Sequence, residues 1–260
     1  MEVKRVKRVE QILDFSLNLA QEMLRSGASL ERVNDAVRRI CCSYELEELS
    51  LFSLSTVMML SARASTGEMI HRQRSMQGTG IHLARLDRLN QLSRRVCTEK
   101  PAPHRLMELL DEALKVEEYP LPVVLCGSLL ALTCLCFLFG GTVRDAVFSL
   151  AMTAMLFLAG QYVKKPWLNN VVYNAVVSGI AGTLELVAVH FGLADQIYVL
   201  MITSSMVLIP GIPLVNATSN LFCGNEMNGI LELLKVVLET LAIVSGYIAA
   251  IYLFGGLITW

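Results

Sequence analysis

The second half of this 260-residue chain has almost no charge. Of 22 Lys and Arg residues, only Arg144, Lys164, Lys165 and Lys235 lie beyond residue 115, and of 23 Asp and Glu residues only six lie beyond residue 118. A water-soluble fold carries roughly 25% charged residues, so the second half does not read as one. Other shortages narrow the function. No Walker A loop, HExxH or GxSxG motif is present, which leaves ATP-driven pumping and standard hydrolase chemistry without support. The seven cysteines (Cys41, Cys42, Cys97, Cys126, Cys134, Cys136 and Cys223) form no CxxC pair. They suggest neither a disulfide framework nor a metal site. His71, His82 and His104 show no ligand spacing, so no cofactor is expected. Basic and acidic residues alternate in the first half, and the net charge is −1; no polybasic patch points to nucleic acid. The basic first ten residues are followed by an amphipathic stretch rather than an apolar one, unlike a secretory signal. Gly78-Thr79-Gly80 reads as a plain turn rather than a phosphate cradle.

What is abundant is apolar surface: 54% of residues are hydrophobic, and the mean hydropathy is +0.52. The split in charge predicts two domains, a cytoplasmic domain over residues 1–117 and a transmembrane domain over 118–260. In the first, Val9, Ile12, Leu13, Ser16, Ala20, Met23 and Leu24 recur at helical spacing, predicting a helix over 6–25 that ends at Gly27. Ser29 is placed to cap a second helix over 30–43. Residues 46–73 are rich in Leu, Met and Val, with a turn at Thr66-Gly67-Glu68, predicting two or three strands. Helical periodicity returns over 81–96 and again from Pro103 to about Val116. The order suits a small α+β domain.

Five spans are predicted after it: Pro120–Phe139, Ala146–Val163, Val171–Phe191, Ile197–Ile209 and Ile230–Ile258. A bilayer core of about 30 Å needs about 20 helical residues. The fold expected is therefore a membrane α-helical bundle of about five transmembrane helices preceded by a small cytoplasmic α+β domain. Arg105 and Lys115 before the first span, with Lys164 and Lys165 after the second, favour a cytoplasmic N-terminus. The segment after Pro210 then approaches the cytoplasmic side.

The most informative stretch is residues 208–222. Pro210, Gly211 and Pro213 interrupt a helix, because proline lacks the N–H and clashes with the preceding turn. Asn216, Thr218, Ser219 and Asn220 follow, and Asn216 and Asn220 share a face if the segment is helical. Broken helices beside polar side chains bind substrates and ions in transporters; the plainer reading is a cytoplasmic loop. Glu185 and Glu239 lie inside predicted spans, where a carboxylate costs roughly 2.5–3.5 kcal/mol on insertion scales. Each is either a coupling carboxylate or a structural hydrogen-bonding group at a helix or subunit interface. Asp145, a third candidate, reads as an ion-pair partner of Arg144 rather than a gate. Gly179 and Gly182, with Gly255 and Gly256, favour close helix packing.

Three segments resemble the threonine/serine exporter (ThrE) family, and within it the short, two-subunit members. They are Leu24-Arg-Ser-Gly-Ala-Ser-Leu-Glu-Arg-Val, the stretch from Gly80 to Val96, and Pro210-Gly-Ile-Pro-Leu-Val-Asn-Ala with Gly224 and Gly229 downstream. The resemblance implies export of small polar metabolites: threonine and serine, or a dicarboxylate such as succinate in the two-subunit form. It also implies a smaller hydrophobic membrane subunit as partner, and places the chain in a bacterial plasma membrane. A homo-oligomer is compatible with it. Pro210, Gly211, Pro213 and Asn216 match the family's membrane motif, and Asp145 matches an acidic position near the start of the second span. Asn220 stands where the family often has Asp, and Asn34 where an acidic residue often follows Arg-Val. The function expected is a secondary-transporter subunit. The rival is a membrane-anchored scaffold or regulatory subunit without its own pathway. An enzyme acting through the first domain has no nucleophile–base pair to support it.

Overall fold

A computed structural model describes residues 2–54, 56–63, 67–76, 80–115, 119–163 and 169–257. The turn expected at Thr66 and the Gly78-Thr79 pair lie outside the described residues, as do Lys164 and Lys165. The chain forms two compact units. One comprises Met1–Glu118 with Ile212–Leu233; the other comprises Tyr119–Gly211 with Leu234–Trp260.

In the first unit, α1 (Glu2–Arg25) and α2 (Leu30–Ser43) precede an antiparallel sheet of β1 (Glu47–Ser53), β2 (Val57–Arg63) and β3 (Met69–Ser75), in that spatial order. Helices α3 (Leu83–Glu99) and α4 (Leu106–Leu114) follow. The sheet places Leu60 of β2 opposite Leu51 and Arg72. Met58, Leu60 and Ala62 are buried in alternation, the period of a half-covered strand. Helix α1 is wetted less than one-sided periodicity predicts. Phe15, Leu17 and Leu19 are buried along with Ile12, Leu13, Ala20 and Met23, because α2 and α3 pack against it and so does the sheet. Among its polar side chains Ser16 is fully buried, and its hydroxyl donates to Ile12 O at 2.8 Å. Arg72, on the sheet's inner face, reaches Glu10 at 2.6 Å and Asp14 at 3.3 Å on α1. Gly27, at φ +95°, adopts the left-handed turn that ends α1, and Ala28 N–H donates to Met23 O at 3.0 Å. Ser29 occupies the N-cap position of α2 without a side-chain cap bond.

The remaining helices are α5 (Leu121–Leu138), α6 (Val143–Tyr162), α7 (Asn170–His190), α8 (Ile197–Leu208), α9 (Gly211–Phe222) and α10 (Glu226–Phe254). Four of them, α5, α6, α7 and α10, are long and apolar enough to cross a membrane. The pair α8 and α9, bent by 64° at its break, makes a fifth span if counted as one. On α5 the mean hydropathy is 2.4, yet Cys136 is its one buried residue. Apolar side chains facing outward along a whole helix suit a hydrocarbon environment.

The first unit also includes α9 and the start of α10, which a boundary at residue 117 leaves with the membrane domain. Specific bonds account for the difference. Asn216 donates to Gly27 O and Asn228 to Ser53 O, each at 3.2 Å. The turn between α9 and α10 uses Gly224 at φ +81°, with Asn225 N–H donating to Asn220 O at 2.9 Å. Gly229 lets the two helices close, because a Cβ there would lie 2.6 Å from Leu221 Cγ.

In the second unit α6, α7 and α10 share a core of Met152, Leu156, Tyr173, Val177, Ala181, Ile243 and Tyr247. Helices α7 and α10 approach closely: a Cβ on Gly246 would run into Ala175 O, and one on Gly182 would fall 2.9 Å from the Tyr247 ring. Gly179 and Gly182 therefore meet Gly246, Tyr247 and Ala250, whereas a Cβ at Gly256 would meet nothing within 4 Å. Period alone did not identify Gly246.

Candidate functional site

The residues expected to carry function divide between the two units. Pro213, Asn216, Thr218 and Asn220 fall in the first, and Pro210 and Gly211 in the second. Residues 211–222 are helical rather than a loop, so Asn216 and Asn220 do share a face. Pro213 sits in the first turn, where its missing N–H would have no intrahelical partner in any case. Pro210 precedes the helix and Gly211 opens it, with Gly211 N–H donating to Ile209 O at 2.9 Å. The Thr218 hydroxyl donates back to Leu214 O and Val215 O. Asn220 is fully buried. Its amide donates to Glu232 Oε2 on α10 at 2.9 Å, while its carbonyl oxygen Oδ1 is buried without a hydrogen bond. The face thus holds one committed donor and one uncommitted acceptor beside a carboxylate.

Glu185 and Glu239, inside predicted spans, and Asp145, at the end of one, lie in the second unit and have different surroundings. Asp145 is saturated. Its Oδ2 accepts from Thr142 N–H at 2.9 Å and from the Thr142 hydroxyl at 3.0 Å, and Thr142 Oγ1 accepts from Asp145 N–H at 3.3 Å, which closes a capping box. Asp145 Oδ1 accepts from the N–H groups of Asp195 and Gln196 at 2.7 and 3.0 Å, just before α8. Arg144 pairs with Asp195 at 3.5 Å, not with Asp145 as sequence adjacency suggested. Side chains leave a helix about 100° apart at successive positions, so Arg144 points to solvent while Asp145 caps the helix.

Glu239 on α10 accepts from the Asn170 amide at 3.2 Å. Glu185, in the C-terminal half of α7, is fully buried, and neither carboxylate oxygen makes a hydrogen bond. Its polar neighbours are Ser204 of α8 and Tyr247 of α10. Those two hydroxyls bond each other at 2.7 Å. The neighbouring Thr203 hydroxyl is also buried without a partner. Ser204, Tyr247, Asn170 and Glu232 were not singled out from the sequence. They come from three helices, α7, α8 and α10, and a single Ser or Tyr in an apolar segment has no spacing to mark it. Among the described residues, no three His, Cys, Asp or Glu side chains gather as a metal site.

A family model described as "Putative threonine/serine exporter" (ThrE) matches residues 14–254. A curated protein of Mycobacterium tuberculosis (strain ATCC 25618 / H37Rv) named "Probable threonine/serine exporter" is 23% identical over 243 residues, which cover 93% of this chain. The chain spans 46% of that relative's length. No solved structure matches the chain.

Proposed function

Because the chain belongs to the threonine/serine exporter family, we propose that it is a secondary-transporter subunit that moves small hydroxy amino acids out across a bacterial plasma membrane, with residues 1–117 in the cytoplasm. The observation that carries this reading is a family match over residues 14–254, running through both compact units. A smaller hydrophobic membrane protein completes the system.

Substrate contacts lie along α9. A zwitterionic amino acid needs donors for its carboxylate and acceptors for its ammonium group. The first turn of α9 offers the backbone N–H of Ile212 and the positive end of the helix dipole. Asn216 and Thr218 line the middle. The buried Oδ1 of Asn220, beside Glu232, is an acceptor suited to an ammonium group. Ile212 and Asn220 are about 12 Å apart along the helix axis, several times the distance between the two charged groups of one α-amino acid. They are therefore successive stations on a path rather than two walls of one pocket.

The test is efflux from cells preloaded with threonine, serine or succinate, with and without this gene and its co-encoded neighbour. Gene-dependent efflux of threonine and serine is expected. Equal efflux of all three in both strains rejects an export role. A scaffold without a pathway would tolerate replacement of both Pro210 and Asn216, so efflux from that folded double variant separates the two readings.

A further inference from the structure

Three helices of the membrane unit each bring one oxygen-bearing side chain to the same place: Glu185 from α7, Ser204 from α8 and Tyr247 from α10. All three are buried. An ionised carboxylate with no hydrogen bond, enclosed among apolar helices, costs several kcal/mol. Such a residue takes a positive charge into the site or holds a proton. No Lys, Arg or His acts on Glu185 among the described residues; the titratable group beside it is Tyr247, and α8 presents only hydroxyls.

The hydroxyl pair narrows the choice of ligand. Two O–H groups share one bond, Ser204 Oγ to Tyr247 Oη, so one proton of the pair is left to be directed elsewhere. With Tyr247 donating to Ser204, the Ser204 proton can go to Met201 O, which lies at 3.3 Å, or turn towards Glu185. A metal cation needs a nearly complete shell of oxygens, and here two of the candidate oxygens already bond each other. A proton needs one acceptor. Tyr247 is also held in place: its ring lies where a Cβ on Gly182 would come within 2.9 Å, so the phenol cannot swing away through that side.

We propose that Glu185, Ser204 and Tyr247 form a proton-carrying site. Glu185 takes up one proton from water on one side of the membrane, forming a carboxylic acid O–H, and releases it to the other side as the carboxylate re-forms. The Ser204 hydroxyl turns from Met201 O to Glu185 when the carboxylate is charged and back when it is not. Binding of the proton stands on the geometry of these three residues, whereas its use in coupling rests on the export reading above.

The test uses the full chain, with its co-encoded subunit, in liposomes. A hydrophobic carbodiimide adds to buried protonated carboxyl groups. Mass spectrometry is expected to find the adduct on Glu185 and not on the hydrogen-bonded Asp145, with labelling that falls as pH rises. Tyr247→Phe and Ser204→Ala are expected to shift that pH profile. Absence of the adduct at every pH overturns the proposal, as does a profile that Tyr247→Phe leaves unmoved. In the same liposomes Glu185→Gln is expected to keep threonine counterflow and lose accumulation driven by a pH gradient; retention of both overturns proton carriage by Glu185. A wild-type chain that titrates at Glu185 yet shows no counterflow supports the proton site and defeats the export reading instead.

Discussion

The side-chain amide of Asn216 donates to the backbone carbonyl oxygen of Gly27 at 3.2 Å, joining α9 to the turn that ends α1 across 189 residues of sequence. Gly27 is held in that turn by its positive φ, so the acceptor is presented by rigid backbone. An Asn singled out for its place after a helix break thus also ties α9 to the end of α1 within the first unit. If substrate uses Asn216, binding and the position of α9 are linked through one amide.

Asn216→Ala is expected to lower stability by about 1 kcal/mol, the net worth of one such hydrogen bond. Asn216→Asp should be worse than Ala, because it sets a carboxylate against a carbonyl oxygen. Thermal unfolding of the detergent-purified chain distinguishes the two, and an Asp variant as stable as wild type would show that the bond contributes nothing.

Asn220→Asp places a second carboxylate beside Glu232, where the wild-type amide donates at 2.9 Å. Destabilisation of about 1–3 kcal/mol is expected, the range for a buried group deprived of its partner. Combining it with Glu232→Gln should restore most of the loss. A double-mutant cycle with no coupling between the two positions would contradict the contact.

Gly246→Ala forces a methyl group against Ala175 O and the Ser178 hydroxyl. The backbones of α7 and α10 must separate, at a cost of about 1–3 kcal/mol by analogy with over-packed cores. Gly256→Ala, with open space around it, is expected to be neutral. Expression level and size-exclusion profile in detergent compare the pair directly.

Asp145→Ala removes the acceptor for the N–H groups of Asp195 and Gln196 and breaks the α6 capping box. A loss of about 2–4 kcal/mol is expected from bonds to a charged group. Asp145→Asn keeps one carbonyl oxygen and should lose about half as much. Equal stability of the two variants would argue against the paired N–H contacts.

Burial pushes the Cys41 thiol of α2 from its ordinary 9.0 up to about 12. The unfolded chain therefore releases this proton first as pH rises. The contribution to stability is fully present below about pH 9 and falls by about 1.4 kcal/mol per pH unit towards the folded value. Urea unfolding of the wild type at pH values through that window, set against Cys41→Ala, reads the effect. Below the window, exposed Cys42 should alkylate readily while Cys41 stays protected until the chain unfolds. Alkylation of both at one rate would show that α2 is not packed as described.

Much of the chain was legible before any coordinates. Period 3.6 marked α1 to α4, enrichment in Leu, Met and Val over 46–73 marked the strands, and long apolar runs poor in charge marked α5, α6, α7 and α10. These are local properties, since each residue's neighbours in sequence decide which face of an element is apolar. The break at Pro210 and the start of a new helix after it were equally local, because proline acts on its own turn.

What sequence could not assign was the partner of each polar group. Glu185, Glu239 and Asp145 are the same kind of residue in the same kind of segment. Yet one is saturated by four bonds, one accepts from Asn170, and one has none. The same holds for Gly179, which meets Gly246 rather than Gly255, and for α9, which is grouped with a domain nearly 100 residues upstream. Whether a buried oxygen is satisfied depends on which distant helix lies across from it, and only the packing of the chain settles that.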